Sequence, residues 1–297
     1  MLRSMIGIVA ASCGVASAAN VYVFSTGSST VDAAHVSSLT SHGHTVTLGT
    51  EWHGFDGTAS LAGIDVVLMN HGANWASSTE TVPLAGQQQL VDFVAAGGGV
   101  ITTEWIVYNH GSSGGAAYAL IGPILPVTYG LTWNGSVTTT FTQASADAVM
   151  NSGLPATFES PVDFFAGTET KLEPRPGATV FFLGSNLDNN AAVTGWQVGA
   201  GRTVSFSTMP GEISLADANY SRLLSNAIDW ADNVPPPCDP DVNQDGNVDQ
   251  DDVGYLINVV GGGDNPTGVD PDFNQDGNVD QDDVAALIDT VGGGGCP

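Results

Sequence analysis

Carboxylates recur at a fixed spacing in the last fifth of the chain. The stretch DPDVNQDGNVDQDDV runs from Asp239 to Val253, and DPDFNQDGNVDQDDV follows from Asp270 to Val284. Only Val242 and Phe273 differ between the two copies. Alternate residues of a tight loop point inward, so Asp and Asn at this spacing offer the about six to eight oxygens that a hard divalent cation requires. The sequence therefore predicts two calcium-binding loops.

Both copies fit the twelve-residue loop pattern in which a glycine at position 6 permits the sharp turn and position 7 supplies a backbone carbonyl. The predicted Ca²⁺ ligands are Asp241, Asn243, Asp245, Asn247, Asp249 and Asp252 in the first loop, and Asp272, Asn274, Asp276, Asn278, Asp280 and Asp283 in the second. Position 12 is Asp instead of the usual Glu, so this carboxylate must approach the ion more closely to bind through both oxygens. An acidic disordered tail is the alternative, but chance acidity would not keep the spacing and the glycine twice.

One helix is predicted after each loop, in DDVGYLINVVGGG and DDVAALIDTVGGGG, and none before it. The expected apolar faces of the two helices consist of Leu256, Ile257, Val260, Leu287, Ile288 and Val291. Val248 and Val279, at position 8 of the loops, are expected to pair as a short strand.

Two tandem units of loop plus helix resemble a dockerin, over residues 238–297. The resemblance implies a small all-α module that folds on binding two calcium ions and docks onto a cohesin-like protein, as in many secreted polysaccharide-degrading proteins. Loop positions 10 and 11, which are Ser-Thr-like and carry recognition in many dockerins, are here Gln250-Asp251 and Gln281-Asp282. The docking partner is therefore expected to differ, or to be absent.

Two cysteines, Cys238 and Cys296, bracket the repeat. If the third cysteine, Cys13, is removed with an N-terminal signal, the even number that remains in an exported chain favours a disulfide. Antiparallel packing of the two units would bring these ends together. Closing a loop of about sixty residues should stabilise the module by roughly 4 kcal/mol in the chain-entropy model.

The N-terminus, MLRSMIGIVAASCGVASAAN, has the order of a secretory signal. Arg3 precedes an apolar run that is too short to span a bilayer, and Ala16-Ser17-Ala18 fits the cleavage pattern. A lipoprotein cysteine at Cys13 is the alternative. We predict a signal peptide over 1–18 and a secreted protein.

The formal net charge is -26 because the chain has only five Lys and Arg residues, and none follows Arg222. Such a surface repels phosphate backbones and anionic lipid, which argues against nucleic-acid and membrane partners. It should attract divalent cations.

Three prolines at 235–237 mark a stiff linker, predicted at 233–237, after an α/β domain predicted at 19–232. Strand patterns (NVYVFST, HTVTLGT, IDVVLMNHG, GVITTEW) alternate with helix patterns (STVDAAHVSSLTSHG, STETVPLAGQQQLVDFVAAGGG). SVTTTFT is a further strand, GATVFFLGS and GRTVSFSTMPG form a late hairpin-like pair, and DANYSRLLSNAIDWADN is the last helix. The order predicts a doubly wound, mostly parallel sheet in a flavodoxin-like three-layer fold.

The stretches DVVLMNHG, LVDFVAAGGGVITTEW, VMNSGLPATF and GAGRTVSFSTMPGEISLADANYSRLLSNAIDWA resemble the class I glutamine amidotransferase-like superfamily and its trehalose-utilisation-type branch, over Asn20 to Asp232. Amidotransferases carry a nucleophilic cysteine after the fourth strand. Here that turn reads TTEW, and the domain contains no cysteine, so glutamine hydrolysis through a thiolate is excluded.

Polar residues at the ends of the predicted strands are the candidate site, because ligands of open α/β sheets bind there. Glu104, with His71 or His110, could act as acid and base or bind a metal or a sugar. Aromatic side chains in nearby predicted loops could contact sugar rings, namely Trp75, Trp105, Tyr108 and Trp133. Alternatively, Glu104 is a hydrogen-bonded cleft carboxylate, the histidines lie on surface loops and the aromatics simply pack.

Two functions remain. The first is a secreted accessory protein that binds two Ca²⁺, docks through its tail and binds carbohydrate or protein without catalysis. The second is a polysaccharide-related hydrolase or lyase that uses Glu104 and a histidine.

Overall fold

The computed structural model describes residues 18–71, 81–163, 169–232, 240–267, 269, 271–274 and 278–293. The chain forms two compact units, Met1–Asn233 and Val234–Pro297. Within the described ranges, no helix combines the length and the apolar character needed to cross a bilayer. Residues 1–17 of the predicted signal peptide and both cysteines of the predicted disulfide lie outside the described residues.

The first unit is an α/β structure. Its strands are β1 (Asn20–Ser25), β2 (Thr45–Glu51), β3 (Val66–Met69), β4 (Gly99–Thr102), β5 (Val127–Asn134), β6 (Thr138–Gln143), β7 (Thr157–Pro161), β8 (Glu169–Pro174), β9 (Thr179–Gly184), β10 (Asn190–Val198) and β11 (Gly201–Phe206). Its helices are α1 (Ser29–Ser41), α2 (Leu84–Ala95), α3 (Glu104–Ser112), α4 (Glu212–Ala216) and α5 (Ala218–Ala231).

The large sheet has nine strands in the order β2-β1-β3-β4-β11-β10-β9-β6-β7, and β5 pairs with β8 separately. The pairings along β2-β1-β3-β4-β11 are parallel. The pairings along β11-β10-β9-β6-β7 are antiparallel. The prediction of an α/β fold is confirmed, but the sheet is mixed instead of mostly parallel. The predicted hairpin of β9 and β11 is wrong, because β10 lies between them and pairs with both.

Side chains alternate between two hydrophobic cores, one on each face of the sheet. Val21 and Val23 pack on one face with α1 and α5 residues, whereas Tyr22 and Phe24 pack on the other with α2 residues. Successive side chains of β1 therefore point alternately into the two cores. Because both faces are buried, the central strands are apolar at nearly every position. Helices on both faces give the predicted three layers.

The largest correction concerns the residues around Glu104. The pattern GVITTEW predicted a strand through Trp105, but β4 ends at Thr102 and Thr103 is the extended N-cap of α3. Glu104 and Trp105 thus begin a helix, and Tyr108 and His110 lie on it, where loops were predicted. The β-branched threonines prolong the strand pattern beyond the last paired residue.

The second unit contains helices α6 (Gln250–Val260) and α7 (Gln281–Val291), with no strand among its described residues, so the pairing of Val248 with Val279 is wrong. Its buried apolar side chains are Val242, Leu256, Phe273 and Leu287. The predicted core residues Ile257 and Ile288 are instead 54% and 53% exposed. The positions at which the copies differ, 242 and 273, are thus core positions.

Candidate functional site

Polar residues collect where three adjacent parallel strands end. Asn70 and His71 follow β3, Glu104 follows β4, and Ser207 and Thr208 follow β11. All five are fully buried. The structure therefore brings together the strand ends that the sequence singled out, at the edge where open α/β sheets bind their ligands.

Glu104 is held inside the protein. It is the first residue of α3, where the helix dipole favours a negative charge. Its Oε1 accepts a hydrogen bond of 3.0 Å from the Thr170 hydroxyl. Thr170 is fixed in turn because its backbone N–H donates to the Ser207 carbonyl at 2.8 Å. The carboxylate is 0% exposed, so it is not directly open to solvent.

A second buried carboxylate, Glu169, was missed from the sequence. Its Oε2 accepts from the Thr139 hydroxyl at 2.7 Å and its Oε1 from the Asn190 amide at 2.6 Å. The same Asn190 side chain accepts from the Leu172 N–H at 2.7 Å. Both oxygens of Glu169 are therefore used to join β6, β8 and β10. No sequence signal pointed to it, because its partners come from distant strands.

Tyr220 on α5 lies among three acidic groups. Its hydroxyl is 2.7 Å from the Thr208 Oγ1, and burial raises its pKa strongly, with the nearby charges of Asp163, Glu104 and Glu169 adding to the shift. Asp163 accepts bonds from the N–H groups of residues 213 and 214 at the start of α4. The tyrosine therefore stays protonated and can donate a hydrogen bond beside these carboxylates.

The histidines have separate surroundings. His71 stacks on Trp52, with ring centroids 4.4 Å apart, and meets Tyr118 edge-on. His110 Nδ1 is 2.9 Å from the Ala117 carbonyl, so this side chain connects α3 to the turn that follows the helix. The acid–base pairing of Glu104 with a histidine stays a prediction.

His35, which the sequence did not single out, contacts the site instead. Its Nδ1 is 2.8 Å from the Val31 carbonyl and its Nε2 is 3.1 Å from the Asn70 Nδ2. These partners assign the proton to Nδ1, so that Nε2 accepts from the amide. Burial lowers the pKa of His35, which keeps the ring neutral. His35 therefore orients Asn70 and carries no charge.

Two polar atoms at the strand ends remain orphaned. The Asn70 Oδ1 and the Ser207 Oγ are buried and have no hydrogen-bond partner within the described part of the chain. They lie at the ends of β3 and β11, on either side of the strand that carries Glu104. Buried polar groups are nearly always paired, so such atoms indicate a place where a ligand or water supplies the partner.

The proposed sugar-contacting aromatics differ in exposure. Trp105 is buried and packs against Met209 and Tyr108, whereas Trp133 on β5 is 55% exposed. Leu131, two residues earlier, is 81% exposed and has a φ of 60°. Of the aromatics predicted to contact sugar rings, Trp75 lies outside the described residues. Among the described members of this set, Trp133 is therefore the most exposed.

The first acidic loop is organised by its own side chains. Asp241 accepts hydrogen bonds from the N–H groups of Asp245 and Gly246, at 3.0 and 2.9 Å. Asn243 Oδ1 accepts from the N–H of Asp245 at 2.8 Å. Bonds from the N–H and amide of Asn247 hold the pKa of Asp245 below its usual value. Side-chain oxygens at positions 1, 3 and 5 thus accept backbone hydrogen bonds that shape the turn.

The position-12 aspartates are the buried members of the loops. Asp252 is 0% exposed and accepts bonds from the N–H groups of Asn243 and Asp249, at 3.2 and 2.9 Å. Asp283 repeats this in the second loop with Asn274 and Asp280, at 3.0 and 2.8 Å. Of the predicted ligands, Asp276 lies outside the described residues.

The ligand chemistry of these loops fits a hard divalent ion. A buried carboxylate requires a compensating charge, and the second unit has no Lys, Arg or His in its sequence. Hard cations bind carboxylate, amide and carbonyl oxygens, which the loops provide. Among the described residues, however, no three His, Cys, Asp or Glu side chains converge as a metal-binding group. The predicted calcium sites stay a prediction.

Comparison with solved structures establishes the fold of the α/β unit. A ThuA-like protein from Parabacteroides merdae is 10% identical, with a TM-score of 0.53, over 73% of this chain and 91% of that protein. A ThuA-like protein from Bacteroides uniformis is 14% identical, with a TM-score of 0.51, over 71% and 90% of the two chains. A cytoplasmic protein from Salmonella typhimurium is 12% identical, with a TM-score of 0.53, over 72% and 98%.

These identities are low, so the likeness extends to the fold alone. At that level it agrees with the resemblance of the sequence to the trehalose-utilisation-type branch. No family profile and no curated protein matches the chain.

Proposed function

We propose that the protein is exported, binds two calcium ions in its C-terminal loops, docks through that unit onto a cohesin-like protein, and uses its α/β unit to bind a carbohydrate without catalysis. The observation that carries the binding function is the pair of orphaned atoms, Asn70 Oδ1 and Ser207 Oγ, beside Glu104. A hydroxyl-rich ligand would satisfy both atoms. A protein ligand at the same strand ends is the other form of this proposal.

The absence of catalysis is argued from how Glu104 is held. A general acid or base must reach the proton that it transfers. The Glu104 carboxylate accepts a hydrogen bond from Thr170, and His71 is confined by its stacking on Trp52. These contacts favour a structural carboxylate over a catalytic one. The alternative, a hydrolase or lyase that uses Glu104, requires the carboxylate to exchange Thr170 for a substrate.

Docking is supported by apolar side chains that the two copies expose to the same extent. Val248 and Val279 are each 49% exposed, and Ile257 and Ile288 are 54% and 53% exposed. Equivalent apolar groups on both copies offer a partner the same contacts twice. The disulfide between Cys238 and Cys296 completes the proposed module, and two free thiols in the intact mass of the secreted, non-reduced protein would rule it out.

The test is a polysaccharide binding and hydrolysis screen on the full chain with four proteins. The wild type should bind a polysaccharide without releasing sugars. Ser207→Ala should lose binding at unchanged stability, because its hydroxyl has no partner to lose among the residues that the structure describes. Ser205→Ala is the matched control: its Oγ is 2.6 Å from the Thr102 hydroxyl, so the variant should lose about 1 kcal/mol of stability and keep binding.

The fourth protein, Glu104→Gln, separates the two functions. Binding in the wild type and in this variant, with no turnover in either, supports the proposal. Release of sugars by the wild type that stops in Glu104→Gln establishes the hydrolase or lyase instead. Equal binding by the wild type and Ser207→Ala would show that the polysaccharide does not bind at the strand ends.

A further inference from the structure

The α/β unit contains a cavity that shares no residue with the strand ends described above. It opens between the C-terminal end of α1 and the first turn of α5 and has a volume of 440 Å³. This volume lies in the range of about 300–1,000 Å³ that small-molecule sites occupy. Its polar lining comes from Ser41, His42, Asn219, Ser221 and Arg222.

Arg222 is unusual among the few basic residues. Arg175 donates to the Gly122 carbonyl, Arg202 donates to Gln197 and to the Trp230 carbonyl, and Lys171 donates to the Asp188 carbonyl. Arg222 has no hydrogen bond or ion pair within the described part of the chain, although it is half-buried. A guanidinium has five donors in a rigid fork, so its presence on a cavity wall leaves those donors to a ligand.

The neighbouring hydroxyls are already oriented. The Ser221 Oγ is 2.6 Å from the Ser38 Oγ and 3.0 Å from the His42 Nε2. Burial lowers the pKa of His42, and the Arg222 charge lowers it further, so the ring is neutral at neutral pH. The cavity thus offers one fixed positive charge together with neutral groups that can both donate and accept.

Two acidic residues, Asp217 and Asp229, lie on either side of Arg222 in the sequence. Asp217 caps α5 by accepting from the N–H groups of Asn219 and Tyr220, at 3.1 and 2.9 Å. Asp229 has its pKa raised to about 6, mainly by burial, and the charge of Arg222 only partly opposes this shift. Neither carboxylate makes an ion pair with Arg222.

We propose that this cavity binds a small oxyanion that also carries hydroxyl groups, held by a two-point contact with the Arg222 guanidinium and by the hydroxyl of Ser221. Carboxylate and phosphate oxygens match the guanidinium fork, and such charge-assisted contacts are the strong ones. The chain as a whole has a net charge of -26 and repels anions, so the Arg222 guanidinium on a cavity wall selects this ligand class. Acidic sugars and phosphates share the required chemistry.

Calorimetric titration of the calcium-loaded full chain with glucuronate, inorganic phosphate and glucose tests this site. Glucuronate, phosphate or both should bind, and glucose should not. Arg222→Gln should lower the affinity for the anion by at least about tenfold, because a charge-assisted contact is lost. Lys171→Gln is the matched control, since it removes the same charge from an exposed position and should bind as the wild type does.

The two anions distinguish the source of the ligand. Binding of glucuronate assigns the site to acidic sugars, and binding of phosphate alone assigns it to phosphorylated ones. Arg222→Lys keeps the charge without the fork and should recover only part of the affinity, which separates recognition from simple attraction. The proposal is overturned if neither anion binds at millimolar concentration, if glucose binds as well as glucuronate, or if Arg222→Gln binds like the wild type. A tryptophan fluorescence spectrum that matches the wild-type spectrum verifies that the α/β unit of each variant is folded.

Discussion

The two units of this chain obtain their stability in opposite ways. The α/β unit buries two large apolar cores, one on each face of its sheet. The second unit buries four apolar side chains, from Val242, Leu256, Phe273 and Leu287, together with the carboxylates of Asp252 and Asp283. The sequence from Cys238 onward contains fourteen Asp and no basic residue.

The difference teaches that the repeat cannot depend on burial alone. A chain of about sixty residues buries too little apolar surface to offset its conformational entropy by a wide margin. Repulsion among its carboxylates lowers that margin further. Bound cations would neutralise the repulsion and couple folding to binding. The α/β unit needs no such help, and the contrast can be tested because all six tryptophans precede the proline linker and therefore report on that unit only.

Calcium removal should give the largest difference in response between the two units. Chelation by EGTA should abolish the far-ultraviolet dichroism of α6 and α7 while the tryptophan fluorescence of the α/β unit stays unchanged. An ion at a hundred times its dissociation constant contributes about 2.7 kcal/mol per site, a large share of the stability of so small a unit. A helical signal that is identical with calcium and with EGTA would contradict the coupling of folding to metal.

Truncation of Leu256 should have the next largest effect. Leu256→Ala leaves a cavity in the small core and should cost about 2–5 kcal/mol of the second unit's stability. The adjacent Ile257→Ala is the matched control, because Ile257 is exposed and its loss should change stability by less than about 0.5 kcal/mol. Urea unfolding followed by dichroism at saturating calcium measures both. Equal losses in the two variants would mean that the core has been assigned to the wrong residues.

The same pair of residues marks the limit of sequence analysis in this unit. Helical periodicity predicted both helices, but Leu256 and Ile257 are neighbours and are similarly apolar, so the pattern cannot select the one that faces α7. That choice depends on Val242 and Phe273, which come from the loops and fill the space between the helices. Within the loops these are the two positions at which the copies differ, and both side chains are buried in the same cluster.

In the α/β unit, the sequence located the strand ends but not their chemistry. Glu104 was identified because it follows a buried strand. Its partner Thr170 lies 66 residues further along the chain, and no local pattern links the two. His35 was overlooked because its contact with Asn70 crosses between elements in the same way. Strand β10 was missed since its small residues, including Gly195, weaken the strand pattern.

A smaller effect is expected from the position-12 carboxylates. Each carboxylate oxygen of Asp252 accepts one backbone hydrogen bond. Asp252→Asn replaces one of these oxygens by an amide nitrogen and removes the buried negative charge that would bind a cation. Calcium affinity should fall by about 1.5–3 kcal/mol, the range for a hydrogen bond to a charged group. Asp251→Asn, at loop position 11, makes the same charge change at an exposed side chain that the loop pattern does not use as a ligand. Calorimetry should find calcium binding by Asp251→Asn close to that of the wild type, and a parallel loss in both variants would argue for general charge attraction.

The smallest expected effect lies in the α/β unit and concerns pH. Burial raises the pKa of Asp229 from 3.8 to about 6, and the charge of Asp232 contributes. The folded state therefore holds this proton more tightly than the unfolded state, so the associated stability is present below pH 4 and is lost as the pH rises through 6. His44, 3.8 Å away, does not compensate, because burial lowers its pKa to about 4 and leaves it neutral over most of this range.

Asp229→Asn should consequently become more stable relative to the wild type as the pH rises from 4 to 7, by less than about 1 kcal/mol after solvent screening. Urea unfolding followed by tryptophan fluorescence reports this unit without interference from the calcium-binding repeat. Asp56→Asn gives the opposite sign: hydrogen bonds from the Thr58 side chain and N–H lower the pKa of Asp56, so that variant should lose stability relative to the wild type as the pH rises through 4. Two aspartates that respond in opposite directions would establish burial as the cause at Asp229, since net charge changes equally in both variants.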